Sequence, residues 1–222
     1  MYLVAVVLLL VVVGYFLFRG GDPEEALQKR LRQRPDELKS VAEQLKLELL
    51  ELKDEERETA IDTLLVGTCL HRRVQDSVAS FGHVLCGGLE EHQVTMFDHP
   101  EGKTSTVLVV RAREGEALPR FCLRPQGATA ETPADHVSLA PRDHVLFNES
   151  FRLHVHSEDL ERLERLLHGP AMDLIEKRVD QPLWVESTGD RLLIYVVDRI
   201  VPASRVEAIL RDGVRLAAAL AG

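Results

Sequence analysis

The spacing of apolar residues changes twice along the chain, and each change predicts a different kind of structure. Residues 1–18 carry no charged side chain; as a helix they extend about 27 Å, close to the ~30 Å hydrocarbon thickness of a bilayer. From Leu38 onward apolar residues recur every three or four positions, which predicts amphipathic helices. After Gly82 the pattern becomes an alternation of apolar and polar residues, which is typical of strands.

The first segment predicts a transmembrane helix at residues 1–18, with residues 2–18 in contact with the lipid bilayer. A secretory signal peptide begins with Lys or Arg, whereas here the first charge, Arg19, follows the apolar run, so the segment is expected to be retained. The basic residues between Arg19 and Arg34 place the C-terminal part in the cytoplasm of a bacterial cell, as a single-pass inner-membrane protein. A periplasmic domain and a buried core helix remain as alternatives.

Residues 19–80 form the predicted juxtamembrane helical region. Asp22 and Pro23 are typical of a helix start, and Pro35 indicates a second one. The second helix carries an apolar stripe of Leu38, Val41, Leu45, Leu49 and Leu52, and a further helical segment follows between residues 61 and 78. The stripe fits either a short coiled coil, with a protein partner bound through the helices of residues 36–78, or packing on the chain's own domain. Fewer than three heptads are present, which favours the second interpretation.

Residues 81–222 form the predicted globular domain. Strands are expected at residues 94–97 and 104–111 around a turn at residues 99–102, with a third strand at residues 118–123. Residues 124–141 are polar and contain three prolines, which predicts an irregular loop. The second half predicts a strand at 151–156, a helix capped by Ser157, a shorter helix near 171–177, a hairpin of residues 183–186 and 192–197, and a final helix from Pro202. Strands and helices in separate runs indicate an α+β fold with a mainly antiparallel sheet.

Size and charge narrow the function. The 222 residues allow an anchor and one full-sized domain, and the formal net charge of -9 argues against a nucleic-acid partner. Three widely spaced cysteines, Cys69, Cys86 and Cys122, do not form a disulfide framework and fit a reducing compartment, where they are expected as small buried residues.

Several short segments in order carry a family resemblance. They are Phe97, the turn at residues 102–106, the strand at 107–111, residues 118–121 and 123–125, Phe147, Phe151 and the hairpin at 186–193. In these the chain resembles a loose group of uncharacterised bacterial single-span membrane-anchored proteins. The resemblance covers roughly residues 80–220 and implies the anchored architecture; it implies no activity and no functional residue.

Two short patterns contain residue types that are found in ligand sites. Gly102, Lys103 and Thr104 superficially resemble a phosphate loop, but position 97 is Phe97 rather than glycine and a strand is expected to follow, so a hairpin turn is favoured. His83, Cys86 and His92 have side chains that suit zinc, yet the chain contains no Cys-x-x-Cys pair, so buried cysteine and surface histidine are favoured. We therefore expect no metal and no cofactor.

The densest titratable group is His154, His156, Glu158 and Asp159. An imidazole beside carboxylates can act as an acid or base, but both histidines fall on the polar face of a strand and both acids in the first turn of a helix, so a solvated surface is favoured. Ser150 and Ser157 lack the glycines of a nucleophile elbow. Trp184 and Tyr195 are expected to pack across the last hairpin.

These observations name no catalytic residue. They favour a non-enzymatic, membrane-tethered interaction or scaffold module. The alternative is a membrane-anchored hydrolytic or metal-dependent enzyme whose residues converge only in three dimensions. A concave pocket with converging His, Asp or Cys side chains would favour the alternative.

Overall fold

The computed structural model describes residues 23–51, 63–70, 83–101, 103–129, 131–178, 181–197 and 199–222. The predicted transmembrane segment at residues 1–18 lies outside this described part. Among the residues that are described, no helix is both long enough and apolar enough to cross a bilayer.

The described residues contain a nine-stranded sheet in which every pair of neighbouring strands is antiparallel. Its order is β1-β2-β3-β4-β9-β8-β5-β7-β6. The strands are β1 (Glu48–Leu50), β2 (Val84–Leu89), β3 (His92–Glu101), β4 (Lys103–Arg111), β5 (Phe121–Pro125), β6 (His136–Leu139), β7 (Phe151–His156), β8 (Leu183–Ser187) and β9 (Arg191–Val196). With the helices packed on it, this sheet confirms the α+β prediction and its mainly antiparallel character.

Two of the predicted boundaries were wrong. The hairpin of β3 and β4 reverses between Glu101 and Lys103, so residues 99–101 belong to a strand rather than to a turn. The expected loop at residues 124–141 contains the end of β5 and the whole of β6, which pairs with β7. A short edge strand such as β6 forms because it pairs with its neighbour and not because its own residues favour a strand. Its polar residues and the nearby prolines therefore predict a loop.

The helices are α1 (Pro23–Leu45), α2 (Val145–Ser150), α3 (Leu160–Leu166), α4 (Pro170–Glu176) and α5 (Ala203–Ala221). The predicted restart at Pro35 is wrong, because α1 continues through that proline. Tertiary contacts hold the helix on both sides of the proline: Arg34 is buried and forms a 2.8 Å ion pair with Asp98 on β3, and Leu38 is buried in the core. The helix ends at Leu45, so Leu49 lies in β1 rather than on a helical stripe.

The apolar stripe of α1 is covered by the chain itself. Leu38, Ala42 and Leu45 are buried in the same hydrophobic core as α5 and the sheet. This agrees with the interpretation that the helix packs on its own domain, and the described part of the stripe leaves no seam for a coiled coil.

Alternation along the strands divides the sheet into two faces. The helical face carries Leu108, Leu123 and Val185, which share one core with α1, α3, α4 and α5. The face opposite, here called the cysteine face, carries Val107, Cys122, Trp184 and Tyr195, and is covered by Leu65, Cys69 and Leu70. Successive side chains of a strand point to opposite sides, which is why adjacent residues belong to different cores.

Helix α5 approaches the helical face very closely at Gly213. A Cβ atom placed there would lie 2.5 Å from Leu108 Cδ2 and 3.4 Å from both Ile194 Cδ1 and Val110 Cγ2. Glycine at this position lets the helix backbone rest directly on β4 and β9.

Candidate functional site

A cavity of about 320 Å³ opens on the cysteine face, between β5, β8, the segment 63–70 and the chain that leads into β6. Alternate side chains of these strands point toward the cavity, and the segment 63–70 closes one side of it. Its lining combines thiols, imidazoles, carboxylates and a guanidinium: Cys69, Cys122, Glu186, Asp135, His136, His156 and Arg120. This is the concave, titratable pocket that the enzyme alternative requires.

Two thiols and a carboxylate meet at the buried side of the cavity. The Sγ atoms of Cys69 and Cys122 are 4.0 Å apart, and Glu186 is almost fully buried beside them. The backbone N–H of Cys69 donates to Glu186 Oε2 at 2.6 Å, and the Tyr195 hydroxyl donates to Oε1 at 2.6 Å. One ligand atom from each of Cys69, Cys122 and Glu186 lies within 4.8 Å of the others.

Burial shifts these groups toward their uncharged forms. Desolvation raises the pKa of Glu186, although the hydrogen bonds from Tyr195 and Cys69 act in the opposite direction. The contact with the Cys69 thiol and burial raise the pKa of Cys122. Burial and the nearby Glu186 carboxyl also raise the pKa of Tyr195. Burial therefore favours the uncharged forms of the Cys122 thiol, the Glu186 carboxyl and the Tyr195 hydroxyl.

Two imidazoles share one carboxylate at the more open side of the cavity. His136 Nδ1 lies 2.9 Å from Asp135 Oδ1, and His156 Nε2 lies 3.1 Å from Asp135 Oδ2. The hydrogen bond from His136 lowers the pKa of Asp135. The other nitrogen of His156, Nδ1, accepts the backbone N–H of Glu158 at 3.3 Å. Both nitrogens of His156 therefore have partners, and it can act as a base only if one of those bonds breaks.

Arg120 binds the two acids that the sequence placed on a solvated helix start. Its Nε donates to Asp159 Oδ2 at 2.6 Å and its Nη2 to Glu158 Oε2 at 2.7 Å. Burial alone would raise the pKa of Asp159, but the backbone and side-chain hydrogen bonds from Arg120 outweigh it and lower that pKa. Sequence reasoning did not identify Arg120, because it is distant from both acids along the chain.

His154 is not on the surface, contrary to the expectation for its strand. It is buried on the cysteine face, with Nε2 3.1 Å from Arg124 Nη2 and Nδ1 3.4 Å from Ser138 Oγ. The expectation failed because it assumed that one face of β7 meets solvent, whereas β6 and β5 flank it and Arg124 lies alongside. His154 and His156 therefore belong to different groups.

The other candidates are dispersed. In the described part of the chain, His83, Cys86 and His92 do not form a group close enough to share a metal ion. The expectation of surface histidines is wrong for His92, which is buried with Nδ1 3.1 Å from the Arg111 carbonyl oxygen. Cys69 and Cys122 are buried as expected, Cys86 is half-buried, and none of the three forms a disulfide.

The remaining sequence predictions concern turns and packing. Lys103 begins a strand, which favours the hairpin over a phosphate loop, and Gly102 lies outside the described residues. Ser150 ends α2, and Ser157 begins a single 3-10 turn, Ser157–Asp159, ahead of α3. Trp184 and Tyr195 pair across the last hairpin with stacked rings 5.6 Å apart, which confirms that prediction.

Sequence reasoning missed the group of Cys69, Cys122 and Glu186. Glu186 was the available signal, since an acid at an inward position of an otherwise apolar strand needs buried partners. Its partners were not apparent, because Cys69 is 117 positions away from it along the chain.

Comparison with known proteins supports the fold. No family model and no curated protein sequence matches the chain. Among solved structures, the crystal structure of the mycobacterial trehalose monomycolate transport factor A, TtfA, is similar, with a TM-score of 0.57 and 18% sequence identity. The match covers 86% of this chain and 93% of that chain. At this identity the match establishes a shared fold, spanning almost the whole of the neighbour's chain.

Proposed function

We propose that this chain is a membrane-tethered, non-enzymatic accessory factor that binds a protein partner and serves the transport of a lipid at the cell envelope. The observation that carries the proposal is the fold match to TtfA, a trehalose monomycolate transport factor by name, over 93% of that chain. A match of that extent involves the whole arrangement of sheet and helices rather than one common motif. Function still depends on sites and not on fold, so a direct test is required.

The tether is the uncharged stretch at residues 1–18, and the domain faces the cytoplasm of a bacterial cell. Support comes from the order of the two segments, because the apolar stretch precedes Arg19 and a basic flank that ends near Arg34. In this arrangement α1 begins only a few residues after the bilayer, which would keep the domain close to the membrane surface.

The partner is expected at an exposed apolar pair on α2. Val145 and Leu146 are each 65% exposed, and they are neighbours at the start of that helix. The described part of the α1 stripe is buried by the chain's own core, which leaves it unavailable to a partner. They are the two most exposed large apolar side chains of the described residues, and contiguous exposed apolar surface is one mark of an interaction site.

The experiment is site-specific photo-cross-linking in the organism of origin. A photoreactive amino acid replaces Leu146 in the full-length chain, and a second strain carries it at Glu114, an exposed position in a turn, as the matched control. We expect one membrane protein to be captured from position 146 and not from 114. Depletion of the chain is expected to slow delivery of newly made envelope lipid while lipid synthesis continues. Unchanged delivery, or a chain that fractionates away from membranes, would overturn the proposal.

A second candidate, a hydrolytic or metal-dependent enzyme, is supported by the cavity, because Asp135, His136 and His156 line it together with two thiols. If it is correct, the full-length protein hydrolyses at least one ester, amide or phosphoester probe, and His156→Ala abolishes that hydrolysis while leaving the fold intact. Loss of turnover in His156→Ala alone would establish catalysis at this site. Equal background turnover in both proteins would exclude it.

A further inference from the structure

Cys69, Cys122 and Glu186 bring three possible metal-ligand atoms within 4.8 Å of one another on the cysteine face. A buried carboxylic acid is costly unless it is paired, and here it lies beside two thiols on a face whose other members are aromatic and aliphatic. We propose that these three side chains bind a zinc ion, with the cavity supplying the fourth ligand as water. This proposal does not rest on the proposed transport function.

The distances suit a tetrahedral ion. Two sulfurs at the usual 2.3 Å from zinc lie about 3.8 Å apart in a tetrahedron, close to the 4.0 Å between Cys69 Sγ and Cys122 Sγ. The carboxylate ligand atom also lies within 4.8 Å of both sulfurs, so small side-chain movements complete the triangle. Thiolate ligands select zinc over magnesium or calcium, which prefer oxygen.

The carboxylate is held as metal ligands usually are. Tyr195 donates to Oε1 and the Cys69 N–H to Oε2, and the Leu70 N–H and the Cys69 thiol also bond to this carboxyl, so its plane is fixed. The thiol bond is lost when Cys69 gives up its proton to bind zinc, which leaves one acceptor position for the ion. Hydrogen bonds of this kind orient ligating carboxylates in known metal sites. Trp184 stacks on Tyr195 and limits movement of the phenol.

The cavity gives the ion a route and a fourth position. All three ligand residues line the same space of about 320 Å³, which also contains Arg120, His136 and His156. Zinc sites with three protein ligands keep one position for water, whereas closed structural sites use four. On binding, each thiol, and the Glu186 carboxyl where it is protonated, releases its proton to solvent, and a sulfur or oxygen lone pair forms the bond to zinc, so no oxidant or reductant is needed.

The test measures metal content and spectrum in the full-length chain, purified in detergent without a metal-affinity tag. We expect about one zinc per chain by elemental analysis, and a thiolate-to-metal charge-transfer band after exchange with cobalt. Cys122→Ser and Glu186→Gln are each expected to weaken zinc binding at least about tenfold. The matched control is Cys86→Ser, which removes the cysteine outside the group and is expected to retain full metal content.

Three results would overturn the proposal. They are wild-type protein that binds no zinc or cobalt, equal metal content in Cys86→Ser and Cys122→Ser, or unreduced protein in which Cys69 is linked to Cys122. If the variants misfold, the accessibility of the thiols in the wild-type protein provides a separate test. Chelator treatment should then increase maleimide labelling of Cys69 and Cys122 but not of Cys86, as read by peptide mass, and equal labelling before and after chelation also counts against the site.

Discussion

The two faces of the sheet are built from the same strands but bury different chemistry. On the helical face, β5 and β7 contribute Phe121, Leu123 and Val155, all apolar and packed against helices. On the cysteine face the alternate positions of those strands are Cys122, Arg124 and His154. Apolar residues would satisfy both faces at lower cost, because buried polar groups need partners to offset desolvation. The cysteine face, which buries polar groups in spite of this cost, also contains the cavity, and we therefore expect the functional site on that face.

Neighbouring residues of β5 offer the sharpest test of this difference. Leu123→Ala on the helical face is expected to lower the free energy of unfolding by about 2–5 kcal/mol, because it leaves a cavity in a filled core. Cys122→Ala on the cysteine face removes a single sulfur atom and is expected to cost about 1 kcal/mol. Denaturant titration followed by the fluorescence of Trp184, the chain's one tryptophan, measures both. Equal losses would mean that the two faces contribute alike.

The close contact of α5 provides the second test. Gly213→Ala places a Cβ atom within 2.5 Å of Leu108 Cδ2, so side chains of the helical face must move to accept it. Alanine is the better helix former, yet overpacking outweighs that gain, and we expect a net loss of about 1–3 kcal/mol. Gly115→Ala is a poor control because its φ is +83°, so Gly88→Ala, where the nearest atom is a glutamine side-chain nitrogen at 3.8 Å, is the better comparison. Stabilisation by Gly213→Ala would show that the helix can shift freely.

Sequence patterns predicted the helical face well and the cysteine face poorly. Helical periodicity predicts one apolar face of α5, and five of its six residues are buried while the sixth, Ile209, is half-buried against the same core; the buried five are Val206, Leu210, Val214, Ala217 and Leu220. Local periodicity is sufficient to predict burial there, because an apolar stripe on a helix only has to pack against the apolar face of the sheet.

The candidate site depends instead on contacts between distant parts of the chain. Arg120 reaches Asp159 across 39 positions and Cys69 reaches Glu186 across 117. No local pattern records such pairs, and His154 looked solvated because strand alternation alone cannot show that a polar face is covered. The strand at residues 151–156 was therefore predicted correctly, but the burial of His154 on its second face was not.

The smallest expected effect concerns the pH dependence of stability at His154. Burial lowers the pKa of this imidazole, and the charges of Arg124, His136 and Arg152 lower it further. Because Arg124 donates toward Nε2, protonation there would remove a hydrogen bond and bring two cations together. The unfolded chain, with a His pKa near 6.5, then binds the proton first, so folding loses stability as pH falls from about 7 toward 5.

In His154→Gln the side-chain carbonyl can still accept from Arg124, but the titration is gone. We expect this variant to lose less stability than wild type between about pH 7 and pH 5, by an amount bounded by about 1.4 kcal/mol for each unit of pKa difference. Asp135 and Asp159, whose pKa values are lowered, act below this window. Glu186, whose pKa burial raises, is present in both proteins, so its contribution cancels in the comparison. His168→Gln, which replaces an exposed histidine, serves as control and should follow wild type. If His154→Gln loses as much stability as wild type between these pH values, burial and the neighbouring positive charges do not lower the pKa of this imidazole.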